Sequence, residues 1–92
     1  MKIITTRDIK NETARFYDIP ISILDDPGRE RAHALPRQVA MYLSRRMTRL
    51  TLDQIGEKFQ RHHTNVFYAV KAIKQRPWAM RAAAAVEERL RA

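Results

Sequence analysis

Apolar side chains along this chain recur at intervals of three and four, and the runs they form are bounded by helix punctuation. Thr5 followed by Asp8 reads as a capping box, and Ile9, Thr13, Phe16 and Tyr17 then fall at helical spacing. Asp18 and Pro20 close that helix, and residues 21–24 make a short second turn of helix. Residues 25–35, DDPGRERAHAL, show turn chemistry and then no apolar period, so they read as a loop. Pro36 opens the next helix at its first position, with Val39, Ala40, Leu43, Met47 and Leu50 as the buried stripe. Met41 and Tyr42 fall off that stripe. Thr51 with Gln54 forms a second capping box ahead of Leu52, Ile55 and Phe59. Val66, Ala69, Val70 and Ile73 then share one helical face, and Pro77 ends it. A last helix over 78–91 carries Ala79, Ala83, Val86 and Leu90, with Trp78 expected to staple it to the core.

No segment alternates with a period of two, and two glycines and four prolines are few turns for a sheet protein. The pattern therefore predicts an all-α fold of about six helices. Ninety-two residues suffice for one small domain spanning 1–92, with barely a self-sufficient core. Cysteine is absent, which excludes disulfides and cysteine-based zinc sites. The first ten residues meet charge at once, unlike a signal peptide, and no run approaches the ~20 apolar residues needed to span a bilayer. The expectation is a soluble cytoplasmic protein without membrane contact.

Charge changes the picture from fold to function. The formal net charge is +8, and it is segregated. Residues 27–76 hold eleven basic and three acidic side chains, against four and five in 1–26 and three and two in 77–92. Solubility does not require segregation, whereas a polyanionic partner accounts for it. That basic segment contains a short helix over 51–59, a tight turn and a longer helix over 63–76, the spacing of a helix-turn-helix. Stepping about 100° per residue puts Thr64, Tyr68, Lys71 and Gln75 opposite the apolar face, where they suit a DNA groove.

The turn itself, FQRHHTNV at 59–66, raises other chemistries. Adjacent histidines point about 100° apart on a helix and have no third ligand close in sequence, so a metal site is disfavoured. A catalytic dyad would need a cysteine, a glycine-framed serine or a paired carboxylate, and none accompanies them. A plain solvated turn is the remaining alternative. Neither enzyme nor cofactor is expected.

Three segments, taken together, resemble a known family. LPRQVAMYL at 35–43, TLDQIGEKF at 51–59 and RHHTNV at 61–66 are similar to the C-terminal DNA-binding domain of the bacterial replication initiator DnaA. That family reads PRQ-x-AMYL, SL-x-x-IG-x-x-F and GRDHTTV, and TARFYDIPISILDD at 13–26 matches its preceding helix pair in spacing. The resemblance implies a helix-turn-helix fold of the DnaA and Trp-repressor kind and double-stranded DNA as partner. By the same resemblance, Arg29 would enter the minor groove, with Arg31 beside it. Arg37, Gln38 and Arg45 would hold phosphate, with Arg49 near them. His62, His63, Thr64 and Asn65 would face base edges, flanked by Arg61, Tyr68 and Lys71.

The chain also departs from the pattern. The turn is one residue shorter, and His62 stands where the family has aspartate, which predicts a lost helix cap and a lost acceptor. Asn65 replaces a threonine and could pair with adenine. A phosphate-binding G-x-x-x-x-G-K-[ST] loop is absent from the 92 residues, so action by occupying a site is expected rather than nucleotide-driven assembly. The altered tip favours a transcription regulator, with a modulator of replication initiation as the alternative. A small RNA-binding protein or a protein–protein adaptor are the readings from other classes. A monomer or weak dimer is expected, with any transcription or replication partner on the C-terminal helix.

Overall fold

Thr5 starts the first helix as the sequence requires: its hydroxyl accepts from the Asp8 N–H at 3.2 Å, and the Asp8 carboxylate accepts from the Thr5 N–H at 3.0 Å. The computed structural model describes residues 3–25 and 33–92. They form α1 (Thr6–Tyr17), α2 (Ser22–Asp25), α3 (Ala34–Met47), α4 (Leu52–Lys58), α5 (His63–Lys74) and α6 (Pro77–Arg91). Among the described residues there is no strand.

The loop expected over 25–35 is shorter at both ends. Asp25 belongs to α2, and α3 begins at Ala34, so Pro36 sits two residues into the helix rather than at its first position. A proline is tolerated there because the N–H groups of the first turn have no partner inside the helix. The last helix likewise starts one residue early, because Pro77 both ends α5 and opens α6.

α3 is the centre of the packing. It lies against α1, α5 and α6, while α4 packs on α5 and α6 closes over α1, α3 and α5. Six consecutive residues, Val39 to Ser44, are buried, so Met41 and Tyr42 belong to the core although one stripe could not hold them. Over this stretch α3 is touched on several sides, so no face of it is left to solvent. The buried Ser44 hydroxyl is satisfied by donating to the Ala40 carbonyl at 2.8 Å. Core residues expected from the periodicity, among them Ile9, Leu43, Ile55, Phe59, Val66, Ile73 and Val86, are fully enclosed. Trp78 is not; it is 51% exposed, and the staple between α6 and the core is made by Ala79, Ala83, Val86 and Leu90.

Lys10 supplies a tie that periodicity does not show. Only 9% exposed, its ammonium donates to Asp25 at 2.5 Å and to the Lys58 carbonyl, and it lies 4.6 Å from the centre of the Phe59 ring. One cation thus joins α1 and α2 to the C-terminal end of α4, where helix carbonyls concentrate negative potential.

Candidate DNA-binding site

α3 and α4 are joined by a turn in which side chains take over the backbone groups. Thr48 donates its hydroxyl to the Ser44 carbonyl at 2.6 Å and accepts from the Leu50 N–H at 3.2 Å. The Thr51–Gln54 capping box then starts α4. Arg45 spans this turn and donates to the Leu50 carbonyl at 3.2 Å.

The turn between α4 and α5 is closed by a pair of reverse bonds. Gln60 N–H donates to the Glu57 carbonyl at 3.2 Å, and Arg61 N–H reaches back to the Gly56 carbonyl at 2.8 Å. This is a Schellman closure, and it places Gln60 in the left-handed region at φ 54°. Gly56 makes the closure possible from the other side. A Cβ at that position would stand 2.6 Å from the Arg61 carbonyl oxygen and 3.3 Å from the His63 nitrogen, both backbone atoms. Only glycine lets the turn lie this close on α4.

α5 then begins with a cap that the aspartate-to-histidine change had been expected to remove. His62 has extended backbone, and its Nδ1 accepts from the Thr64 N–H at 3.3 Å and lies 3.0 Å from the Thr64 hydroxyl. An unprotonated imidazole nitrogen can do the work of a carboxylate oxygen at a helix start. Nor do the two histidines diverge, as the helical step predicts for neighbours: their ring centroids are 4.1 Å apart. His62 lies outside the helix, where the 100° step does not hold.

His63 is held differently. Its Nδ1 sits 3.0 Å from a carboxylate oxygen of Asp53 on α4, tying the tip of α5 to the start of α4. A carboxylate only accepts, so this contact calls for a hydrogen on Nδ1 of His63. Nδ1 of His62 accepts, so its Nε2 carries the hydrogen. Among the described residues no group of three or more His, Cys, Asp or Glu side chains is placed to hold a metal ion.

Thr64, Asn65, Tyr68 and Lys71 are all exposed on α5, together with Lys74 and Gln75. Arg45 and Arg49 are exposed at the end of α3 and beyond it, whereas Arg37 and Gln38 near its start, and Arg61 in the helix-turn-helix turn, are half-buried. Arg29 and Arg31 lie outside the described residues. Arg46 is drawn elsewhere, to Glu87 of α6 at 2.6 Å. Periodicity also passed over Phe67, which is 51% exposed beside Tyr68 at 63%, their rings edge to face with centroids 5.3 Å apart. A large apolar side chain on the outward side of a helix with an otherwise regular stripe was the signal available for it.

This geometry has relatives. The family model described as bacterial DnaA protein helix-turn-helix matches residues 6–73. The chain belongs to that family. It is 43% identical over 75 residues to the chromosomal replication initiator protein DnaA of Rickettsia bellii. It is 44% identical over 73 residues to that of Roseobacter denitrificans and 44% over 71 residues to that of Mycobacteroides abscessus. These matches cover 80%, 78% and 77% of the chain but only 16%, 16% and 14% of the relatives. The matched part is thus the DnaA-type DNA-binding helix-turn-helix, with no counterpart of the rest of those initiators aligned in these 92 residues. Among the described residues no helix is long and apolar enough to cross a membrane.

Proposed function

We propose that the chain reads a duplex DNA sequence by laying the N-terminal half of α5 in the major groove, and that it does so at sites used in replication initiation. The observation that carries this reading is the outward side of α5. An exposed run of hydrogen-bonding, aromatic and cationic side chains starts at a capped, solvent-facing helix tip. His62, His63, Thr64 and Asn65 are the base-facing set. Lys71, Arg45 and Arg49 contact phosphate, as do Arg37, Gln38 and Arg61 where their half-burial leaves them reachable. Arg29 and Arg31 are assigned to the minor groove on the family resemblance. One helical core joins the described helices, which supports treating 1–92 as a single domain; action by site occupancy is part of the proposal.

The relatives are named as replication initiators, which favours a replication role over the transcription regulator that the altered tip first suggested. One observation keeps the regulator as a second reading: the tip residues QRHHTN differ from the family's GRDHTT, and His62 offers a donor where aspartate offers acceptors.

Selection of sites from a random duplex library, followed by binding to the family's own box, tests both. Enrichment of one sequence matching that box supports the replication role. Enrichment of an unrelated sequence supports the regulator. Failure to enrich any duplex sequence, with comparable affinity for structured RNA, overturns the proposal.

A further inference from the structure

The start of α1 and the ends of α3 and α4 leave an open groove of about 1090 Å³ between them, to which no described residue of α5 contributes. Its floor is apolar. Ile4, Ile21, Met47 and Leu50 pack against the core yet stay half-buried, and Ile3 beside them is 82% exposed. These side chains come from three separate parts of the chain and meet in one concave surface. A patch gathered in this way, unlike a single scattered residue, is a place for another molecule.

The charges around the floor decide which molecule. Arg7 on α1, Arg49 in the turn after α3 and Lys58 at the end of α4 are exposed on the rim. None of the three makes an ion pair among the described residues. Asp25, the one carboxylate among the described lining residues, is already held by Lys10. Duplex DNA would answer the cations, but its phosphates and the donors and acceptors of its grooves give the apolar floor little to pack on. An acyl chain with an anionic head fits the floor but carries its charge at one end, whereas these cations stand on three elements. A helix with carboxylates flanking an apolar stripe matches both features at once. From this complementarity of charge and apolar surface we propose that the groove docks an acidic amphipathic helix of a partner protein. The surface adjoins the DNA site through Arg49 but leaves α5 free.

The test begins with selection by the whole chain from a displayed library of random peptides about 15 residues long, enough for a helix of ~22 Å. Enriched peptides should combine Asp and Glu with Leu, Ile or Phe at helical spacing. The affinity of one such peptide is then measured for the parent chain, for Ile3→Ser, and for Arg7→Gln combined with Lys58→Gln. Each variant should weaken the peptide by about three- to tenfold. All three positions are exposed, so circular dichroism should be unchanged, which separates a docking defect from a folding one. Ile3→Ser alters no charge and should leave affinity for the selected DNA duplex as it was.

The inference is overturned if no acidic amphipathic sequence is enriched, or if the enriched peptides are indifferent to both variants, which would put them on the cationic DNA surface instead. Binding of phosphatidylglycerol vesicles that both variants weaken, with no peptide enriched, would give the groove to a lipid and overturn it too. So would self-association in sedimentation that both variants abolish, since the occupant would then be a second copy. None of these results touches duplex binding by the parent chain, so the proposed DNA-reading function stands or falls separately, on the duplex selection.

Discussion

Two residues of the turn before α5 sit where their chemistry is second best, and each gives a measurable consequence. Gln60 holds a left-handed backbone at φ 54°, a region that disfavours any side chain by about 1–2 kcal/mol relative to its ordinary wells. Gln60→Gly should therefore stabilise the chain by roughly 0.5–1 kcal/mol, less than the full strain because glycine is freer when unfolded. Urea denaturation would show this as a higher midpoint at unchanged slope. His62 is the cap of α5 through Nδ1, 3.3 Å from the Thr64 N–H. His62→Ala should lower stability by roughly 0.5–1 kcal/mol, while His62→Asp, which keeps an acceptor, should stay within a few tenths of wild type. Equal stability of all three chains in the same denaturation series would show that the Nδ1 bond contributes nothing.

At the scale of elements, the geometry of the helix-turn-helix depends on how closely its turn lies on α4. Ala is a better helix former than Gly by about 1 kcal/mol, so Gly56→Ala would stabilise an isolated α4. In the folded chain its Cβ would meet the Arg61 carbonyl at 2.6 Å, and neither backbone can yield without moving the start of α5. The substitution should cost a net 1–2 kcal/mol or so and weaken DNA binding more than it weakens folding, read by melting temperature beside affinity. A gain in stability with unchanged affinity would contradict the packing argument.

A second tie between elements joins α3 to α6. Burial raises the pKa of Glu87, but hydrogen bonds from Arg46 at 2.6 Å and Arg91 at 3.0 Å, with their charges, outweigh it. The carboxyl is thereby held below its ordinary value. A carboxyl depressed in the folded state stabilises above its unfolded pKa, and that contribution is lost as pH falls through the folded value. Wild type should thus melt above Glu87→Gln at pH 7, and the gap should close below about pH 4. A gap of the same size in acid would mean that charge is not what the tie contributes.

For the whole molecule, the charge distribution matters more than any single contact. The +8 formal charge is concentrated in 27–76, the segment that contains the helix-turn-helix. If ~5–7 phosphates are neutralised on binding, the logarithm of affinity should fall against the logarithm of salt concentration with a slope near −5 to −6. Titrations at several salt concentrations measure it directly. A slope near zero would remove the polyanion from the account.

The helices and their caps were legible in the chain because they rest on local chemistry. Thr5 with Asp8, Thr51 with Gln54, and the apolar set Val66, Ala69 and Ile73 act within a few residues of themselves, and the structure uses each as the pattern requires. The helix-turn-helix was legible for the same reason, since its spacing is a property of consecutive residues. What the pattern could not supply depends on neighbours distant in sequence. The burial of Met41 and Tyr42 follows from α3 being packed on several sides at once. Lys10, a charged residue in an amphipathic helix, carries no local signal of burial; it is the arrival of α2 and the end of α4 that accepts its hydrogen bonds. Trp78 reads as a staple until smaller alanines fill the contact with the core. At the tip, sequence substitution suggested a lost cap, yet whether Nδ1 of His62 can stand in for a carboxylate is a matter of where the turn sets the ring. Periodicity decides which residues can be helical and apolar; only the assembled fold decides which polar atoms meet, and so which groups the tip of α5 presents.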